Sequence, residues 1–122
     1  MNVDELLERV NSCADDLDLV AARKYIEENR ELLAENRHRL KRNARELLDF
    51  ILKMQDSGNK ALQRNEIAAI NAINSYATKF DLRGLKVAVK NHSELILRDD
   101  VIPYFNTDAK IMLASMNAIP KS

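Results

Sequence analysis

The chain has 122 residues, only two glycines and two prolines, and 19 Lys and Arg against 19 Asp and Glu. This length is typical of one domain, which can bury a core without disulfides or a structural metal. The scarcity of Gly and Pro excludes a turn-rich β fold, and the balanced charge favours neither a nucleic acid nor a membrane partner. We therefore predict a single all-α domain over residues 1–122 with about five helices.

The first helix is predicted from about Val3 to Asp15. Asn2 stands directly before it, and Glu5 follows three residues later, which is the spacing of a capping box. Apolar residues then recur at helical intervals, so one face of this helix is expected to be buried.

A repeat follows within the sequence. Residues 10–33 align without a gap onto residues 73–96 at a constant offset of 63, with 7 of 24 positions identical. Duplicated helical units stack and bury shared faces, and such folds mostly present surfaces to partners. We predict two related helical hairpins, at about 3–36 and about 60–98.

Each copy has an aspartate at the expected hairpin turn. Asp18 follows Leu17 and Asp81 follows Phe80, and another apolar residue comes four positions after each aspartate. This pattern is typical of an N-cap with a hydrophobic staple, in which the apolar residues on either side of the cap pack together. Asp18 and Asp81 are therefore predicted to cap the second helix of each hairpin.

The second helix has no evident stop signal. The chain contains no Gly or Pro between Leu19 and Gly58, so this helix is predicted to continue through residues 37–57, to about Met54. At 1.5 Å per residue it would be about 54 Å long, and it must therefore bend or protrude.

Two further helices are predicted within the second hairpin, at about 60–79 and 82–97. A C-terminal helix is expected over about 106–117, after an Asn106 or Thr107 cap. Pro103 separates this helix from the hairpin, because proline cannot continue a helix.

The predicted long helix has a seven-residue regularity. Asn29, Asn36 and Asn43 fall on one register, and Leu40 falls on a second, apolar one. Such a pattern is typical of a coiled-coil seam, in which buried Asn fixes register and partner number. An ordinary amphipathic helix with the asparagines at its margin explains the same leucines, so both interpretations stay open.

Charge along the middle of this helix is divided, with Glu27, Glu28, Glu31 and Glu35 before Asn36, interrupted only by Arg30, and Arg and Lys over 37–45 after it. Two antiparallel copies would place the acidic half of each against the basic half of the other. We therefore predict self-association through the long helix. The predicted interaction residues are Asn29, Asn36, Leu40 and Asn43.

Nucleic acid binding is the alternative function. The segment 37–45 is basic and contains no acid, and basic helices bind phosphates. The segment 76–91 resembles a helix-turn-helix, with Ala77 at the small position of its first helix. The predicted nucleic acid contacts are Arg37, Arg39, Lys41, Arg42, Arg83, Lys86 and Lys90.

The hairpins also resemble tetratricopeptide units over about 25 residues in each copy. An acidic residue opens the second helix, apolar residues follow four and eight positions later, and Tyr76 stands where the first helix of that repeat carries an aromatic. The residues concerned are Asp18, Ala22 and Ile26 in one copy and Asp81, Leu85 and Val89 in the other. The resemblance implies a groove for a peptide or a helix, although the offset of 63 exceeds that family's repeat of about 34 residues.

Catalytic chemistry has little support in the sequence. His38 and His92 lie in no metal-ligand spacing, and two glycines cannot build a phosphate loop. We predict no enzyme, no cofactor and no metal. The predicted function is a non-enzymatic interaction or adaptor module, whose partner is a second copy or a helical or peptide segment of another protein.

The compartment is predicted from two further features. Cys13 is the one cysteine, which excludes an internal disulfide and fits a reducing compartment. The segment MNVDELLERV lacks the apolar core of a secretory signal, and no apolar run is long enough to cross a membrane. A cytoplasmic location without a membrane partner is the expectation.

Overall fold

The computed structural model describes residues 1–58 and 60–121, apart from the side chain of Ser57. Within these ranges the chain contains helices and connecting segments and no strand, so it is all-α as predicted. It divides into two compact units, Met1–Gly58 and Asn59–Ser122, where we predicted one domain. We call them unit 1 and unit 2.

Unit 1 is built on a pair of helices, α1 (Val3–Asp15) and α2 (Leu19–Glu28), with the longer helix α4 (Arg42–Ser57) packed against both. Between α2 and α4 lie α3 (Arg30–Glu35) and a 3-10 helix (Arg37–Arg39). α1 contacts α2 and α4, and α2 also contacts α4. The buried apolar residues of this unit include Val10, Leu19, Ile26, Leu33, Leu48 and Ile51.

Unit 2 has the same order of elements. They are α5 (Arg64–Thr78), α6 (Leu82–Asn91), α7 (Ser93–Ile96), a 3-10 helix (Asp99–Tyr104) and α8 (Thr107–Ser115). α5 contacts α6 and α8. The buried apolar residues include Ile73, Leu85, Val89, Val101 and Leu113.

The shared order of elements extends beyond the 24 residues that align in the sequence, although α4 has 16 residues and α8 has 9. At the offset of 63, α2 falls on α6 with the same bounds. Asn29 and His92, which end these two helices, have φ of −133° and −127°. The offset becomes 65 at α4 and α8, because the 3-10 segment is longer in unit 2. Each copy therefore has its own set of helices and its own core, and this accounts for the division into two units.

The predicted long second helix is wrong. α2 ends at Glu28. The helical backbone is interrupted again at Asn36, and a third time at Leu40, whose backbone is extended. The side-chain amides of Asn29 and Asn36 donate to the carbonyls four residues earlier, at 2.9 and 2.8 Å. Such local bonds compete with the helical backbone, so asparagine can end a helix without Gly or Pro.

The alternative interpretation of this segment, an apolar stripe facing a globular core, agrees with the observed burial. Its members are Leu33, Leu40, Ala44, Leu47, Leu48 and Ile51, and all are buried. The predicted number of about five helices is too low. The predicted helix at 82–97 is likewise interrupted, at His92, and forms the two helices α6 and α7.

The turns at Asp18 and Asp81 confirm the predicted N-caps. The Asp18 carboxylate accepts from the Ala21 N–H at 3.3 Å, and the Asp81 carboxylate accepts from the Gly84 N–H at 2.9 Å. These bonds satisfy free amides at the starts of α2 and α6.

The same aspartates also end the preceding helices. The Asp18 N–H donates to the Cys13 carbonyl, and the Asp81 N–H donates to the Tyr76 carbonyl, both at 2.9 Å. With the residue before each aspartate in the left-handed region, this is the Schellman arrangement at a helix C-terminus. One residue therefore ends one helix and begins the next.

Candidate interaction surface

The zero net charge of the chain conceals two oppositely charged units. Residues 1–58 contain 10 Lys and Arg against 13 Asp and Glu, a net charge of −3. Residues 59–122 contain 9 against 6, a net charge of +3. Opposite charges on two units of one chain create fields that steer charged partners, even though bulk charge predicts none.

An exposed surface of mixed apolar and cationic character lies on α6. Its inner side is formed by Leu85, Ala88 and Val89, which are buried. Its outer side, with the residue that precedes the helix cap, is termed the α6 face. The α6 face consists of Phe80, Leu82, Arg83, Lys86, Val87 and Lys90.

The three apolar side chains of the α6 face are well exposed, at 76% for Phe80, 48% for Leu82 and 54% for Val87. The three cations are exposed as well, and none forms an ion pair within residues 1–58 and 60–121. Leu82, Lys86 and Lys90 follow one another at intervals of four residues, as do Arg83 and Val87, so each of these two neighbouring rows of the helix carries both charged and apolar groups.

Phe80 occupies a strained position. Its φ is 54°, in the left-handed region that favours glycine. For a bulky residue this conformation costs about 1 to 2 kcal/mol, and an exposed side chain recovers little of that through packing. The predicted staple between Phe80 and Leu85 is therefore wrong. Leu17 has the same conformation in unit 1, with φ of 60°, because both residues stand in the turn that ends the preceding helix.

Comparison with unit 1 shows a second cost at the α6 face. In unit 1, Arg23 pairs with Glu27 along α2 at 2.6 Å. The matching residues of unit 2 are Lys86 and Lys90, so an attractive pair is replaced by two like charges. Like charges four residues apart destabilise a helix by about 0.2 to 0.5 kcal/mol. The α6 face thus lacks neutralisation that its counterpart has.

Four of the basic side chains in segment 37–45 form ion pairs within unit 1. Arg37 donates twice to Asp49, from Nε at 2.7 Å and from Nη2 at 2.5 Å. This hydrogen-bonded pairing lowers the pKa of the Asp49 carboxyl and raises that of Arg37. The other pairs are Arg39 with Asp4 (2.5 Å), Lys41 with Asp15 (3.9 Å) and Arg42 with Glu46 (3.1 Å). The predicted nucleic acid contacts therefore separate into paired ones here and the unpaired Arg83, Lys86 and Lys90.

The predicted self-association residues do not form a common seam. Leu40 is buried, at 3% exposure, and it lies at the end of the 3-10 helix of unit 1. Asn29 and Asn36 lie at helix ends and bond to their own backbone. Asn43 is exposed on α4. These four residues do not share one helix, so the antiparallel pairing around Asn36 has no continuous helix on which to form.

Asn11 and Asn74 have a structural role that we did not predict. The Asn11 Oδ1 accepts from the Lys41 N–H at 2.9 Å, and the Asn74 Oδ1 accepts from the Asn106 N–H at 2.8 Å. Asn74 also donates to the Tyr104 carbonyl at 3.0 Å. Each asparagine therefore fixes the start of the last helix of its unit. In the sequence, the one indication of this role is that the same residue, asparagine, occupies both positions of the repeat at the offset of 63.

Arg98 is a buried cation in unit 2, at 5% exposure. It donates to both carboxylate oxygens of Asp100, at 3.0 and 2.7 Å, and to the Lys60 carbonyl, and it lies 3.5 Å from Glu66. Hydrogen bonding from Arg98 lowers the pKa of Asp100. All its partners belong to the same unit, so Arg98 is a structural link between the start of α5 and the 3-10 helix.

Cys13 is a half-buried thiol. Burial raises its pKa, and the nearby carboxylates of Asp18 and Asp16 raise it further. Because the thiolate is the nucleophilic form, these surroundings make Cys13 a poor nucleophile at neutral pH.

Compared with protein-family models, with curated proteins and with solved structures, the chain gives no match. Across the part of the chain that the structure describes, no helix has both the length and the apolar character needed to cross a membrane.

Proposed function

We propose that the protein is a non-enzymatic interaction module that binds a protein partner through the α6 face. One observation carries this proposal: large apolar side chains are held in solvent among three unpaired cations, next to a strained turn. Binding surfaces of proteins typically combine aromatic and arginine anchors with a charged surround. Phe80 and Arg83 are residues of that kind.

In this proposal the paired helices of each unit serve as scaffolds of tetratricopeptide type. The resemblance implies a surface for a helix or a peptide, and the exposed outer side of α6 is a rigid element on which such a partner could lie. A reducing cytoplasmic setting agrees with the single cysteine.

Nucleic acid binding is the second candidate. Arg83, Lys86 and Lys90 are exposed on the second helix of the segment that resembles a helix-turn-helix. Three phosphate contacts would give a slope of about −2.7 for log K against log salt, which is weak for a specific DNA-binding protein. The neighbouring Phe80, Leu82 and Val87 favour a protein partner, because phosphates offer them nothing to bury against.

The test is a photo-crosslinking amino acid at Val87, with the same amino acid at Lys24 as control. Lys24 is exposed and matches Val87 in the sequence repeat. In the cells that make the protein, we expect a covalent adduct from position 87 that withstands nuclease and contains a second polypeptide, identified by mass spectrometry, and no such adduct from position 24.

Two other outcomes contradict the proposal. An adduct from position 87 that nuclease removes would assign the α6 face to nucleic acid. Equal yields from positions 87 and 24 would show that the α6 face has no preferred partner.

A further inference from the structure

Unit 1 contains an exposed acidic surface formed by the end of α2 and by α3. Six acids of unit 1 pair with Arg or Lys: Asp4, Asp15, Glu27, Glu46, Asp49 and Asp56. In contrast, Glu28, Glu31 and Glu35 are exposed and form no ion pair within the described ranges of the chain. Leu32 lies among them at 36% exposure. We call these four residues the acidic face.

The acidic face and the α6 face have the same residue pattern with opposite charge. On α3, Glu31 and Glu35 are four residues apart, and Leu32 follows the first. On α6, Lys86 and Lys90 are four residues apart, and Val87 follows the first. Equal spacing along a helix gives equal separation of the charges, about 6 Å along the axis. In an antiparallel contact each lysine can therefore face one glutamate, with Val87 and Leu32 on the same side of the contact.

From this match we infer that the α6 face of one copy binds the acidic face of a second copy. The inference rests on the proposed function, in which the α6 face is a binding surface, and it names the partner. Charge complementarity favours a second copy as the partner, because unit 2 has a net charge of +3 and unit 1 has a net charge of −3. This replaces self-association through a long helix with self-association between two different surfaces.

The geometry of such an assembly has a direct consequence. The two surfaces that meet are different, so the contact is heterologous and each copy keeps one free surface of each kind. Association therefore continues with concentration, unless a ring closes. Exposed ion pairs are screened by salt, with a Debye length of about 8 Å at physiological ionic strength. We expect association at low salt that weakens as salt is added.

The experiment is sedimentation velocity on the full chain, with two charge-reversed variants. One variant carries Lys86→Glu and Lys90→Glu, which makes the α6 face acidic. The other carries Glu31→Lys and Glu35→Lys, which makes the acidic face basic. Each variant alone is expected to lose association by at least about tenfold, because the two reversed side chains then face like charges across the contact.

Mixing the two variants is the decisive step. Each then offers the surface that complements the other, so the mixture is expected to associate again while neither component does. Circular dichroism establishes that both variants are folded. The milder pair Lys86→Gln and Lys90→Gln keeps the same surface without reversal and is expected to weaken association.

Three outcomes overturn the inference: a wild-type chain that stays monomeric at low salt up to high concentration, association that charge reversal does not change, and a mixture that stays monomeric. The proposed function fails separately. A monomeric chain whose position 87 crosslinks to a different protein in cells would refute the second copy as partner and leave the α6 face as a binding surface.

Discussion

The ring of Tyr76 in α5 lies so close to Gly84 in α6 that a Cβ on this glycine would come within 2.6 Å of the ring carbon Cδ1. The same Cβ would lie 2.7 Å from the Oδ2 of Asp81, which caps α6. At the matching positions unit 1 has Cys13 and Ala21. A larger side chain on one helix is thus accompanied by the loss of a methyl group on the next.

We predict that Gly84→Ala lowers the free energy of unfolding by about 1 to 2 kcal/mol, because the Tyr76 ring must move. At an ordinary helical position the same change would stabilise by about 1 kcal/mol. The measurement is urea denaturation, with Gly84→Ala in a Tyr76→Cys background as control. The loss should shrink or change sign there, as unit 1 tolerates Ala21 beside Cys13. Equal losses in both backgrounds would contradict the steric account.

Phe80→Gly should raise the free energy of unfolding by about 1 kcal/mol, because glycine adopts positive φ without the strain of a side chain. Leu17→Gly is the matched variant in unit 1, where φ is 60°. Denaturation should show a gain for each. Crosslinking from position 87 should fall with Phe80→Gly and stay unchanged with Leu17→Gly. If crosslinking survives the loss of Phe80, this residue is not a binding anchor.

Asn74→Ala is expected to reduce the free energy of unfolding by about 1 kcal/mol, since the Asn106 N–H and the Tyr104 carbonyl lose their partner. Asn11→Ala should behave alike in unit 1. Asn74→Asp keeps the acceptor for the Asn106 N–H but sets a carboxylate oxygen against the Tyr104 carbonyl, so it should be at least as unstable as Asn74→Ala. Thermal unfolding by circular dichroism gives the ranking, and an Asp variant as stable as the wild type would show that the bond to Tyr104 contributes nothing.

The link between Arg98 and Asp100 predicts a dependence on pH. The pKa of Asp100 is lowered in the folded chain, so its bond to Arg98 stabilises at pH above the ordinary value of 3.8 and is lost as pH falls through the lowered pKa. Arg98→Met should cost about 1 to 2 kcal/mol at neutral pH, allowing for solvent screening of the half-exposed carboxylate.

The difference in stability between the wild type and Arg98→Met should therefore narrow as pH falls below about 4. Arg98→Lys serves as the control, because it keeps the charge and loses the two-bond geometry. Urea titrations at several pH values test this. A difference that stays constant down to acid pH would show that Arg98 acts through packing alone.

Local signals in the sequence were sufficient for some of these features. Asp18 and Asp81 were predicted as caps because an N-cap depends on the few residues that follow it. The buried stripe from Leu33 to Ile51 was predicted as one of two interpretations, since its spacing also suits a coiled coil.

Other features depend on competition between side-chain and backbone hydrogen bonds, which the sequence alone does not reveal. The helix breaks at Asn29 and Asn36 arise where side-chain amides bond to the backbone, and no Gly or Pro marks them. The exposure of Phe80 was hidden as well, because its pattern is that of Leu17, which is only partly exposed. The extent of the duplication was concealed by the change of offset from 63 to 65.

The double role of Asp18 and Asp81 leaves the inter-helix turn with no spare residue. An extra amino acid at this corner would separate the bond that closes one helix from the bond that opens the next, and would rotate the following helix by about 100° about its axis. The 3-10 segment has no such constraint, and it is there that one unit is two residues longer than the other. The two copies therefore differ in length at the 3-10 segment, which tolerates extra residues, while the turn between the paired helices keeps its length and its aspartate.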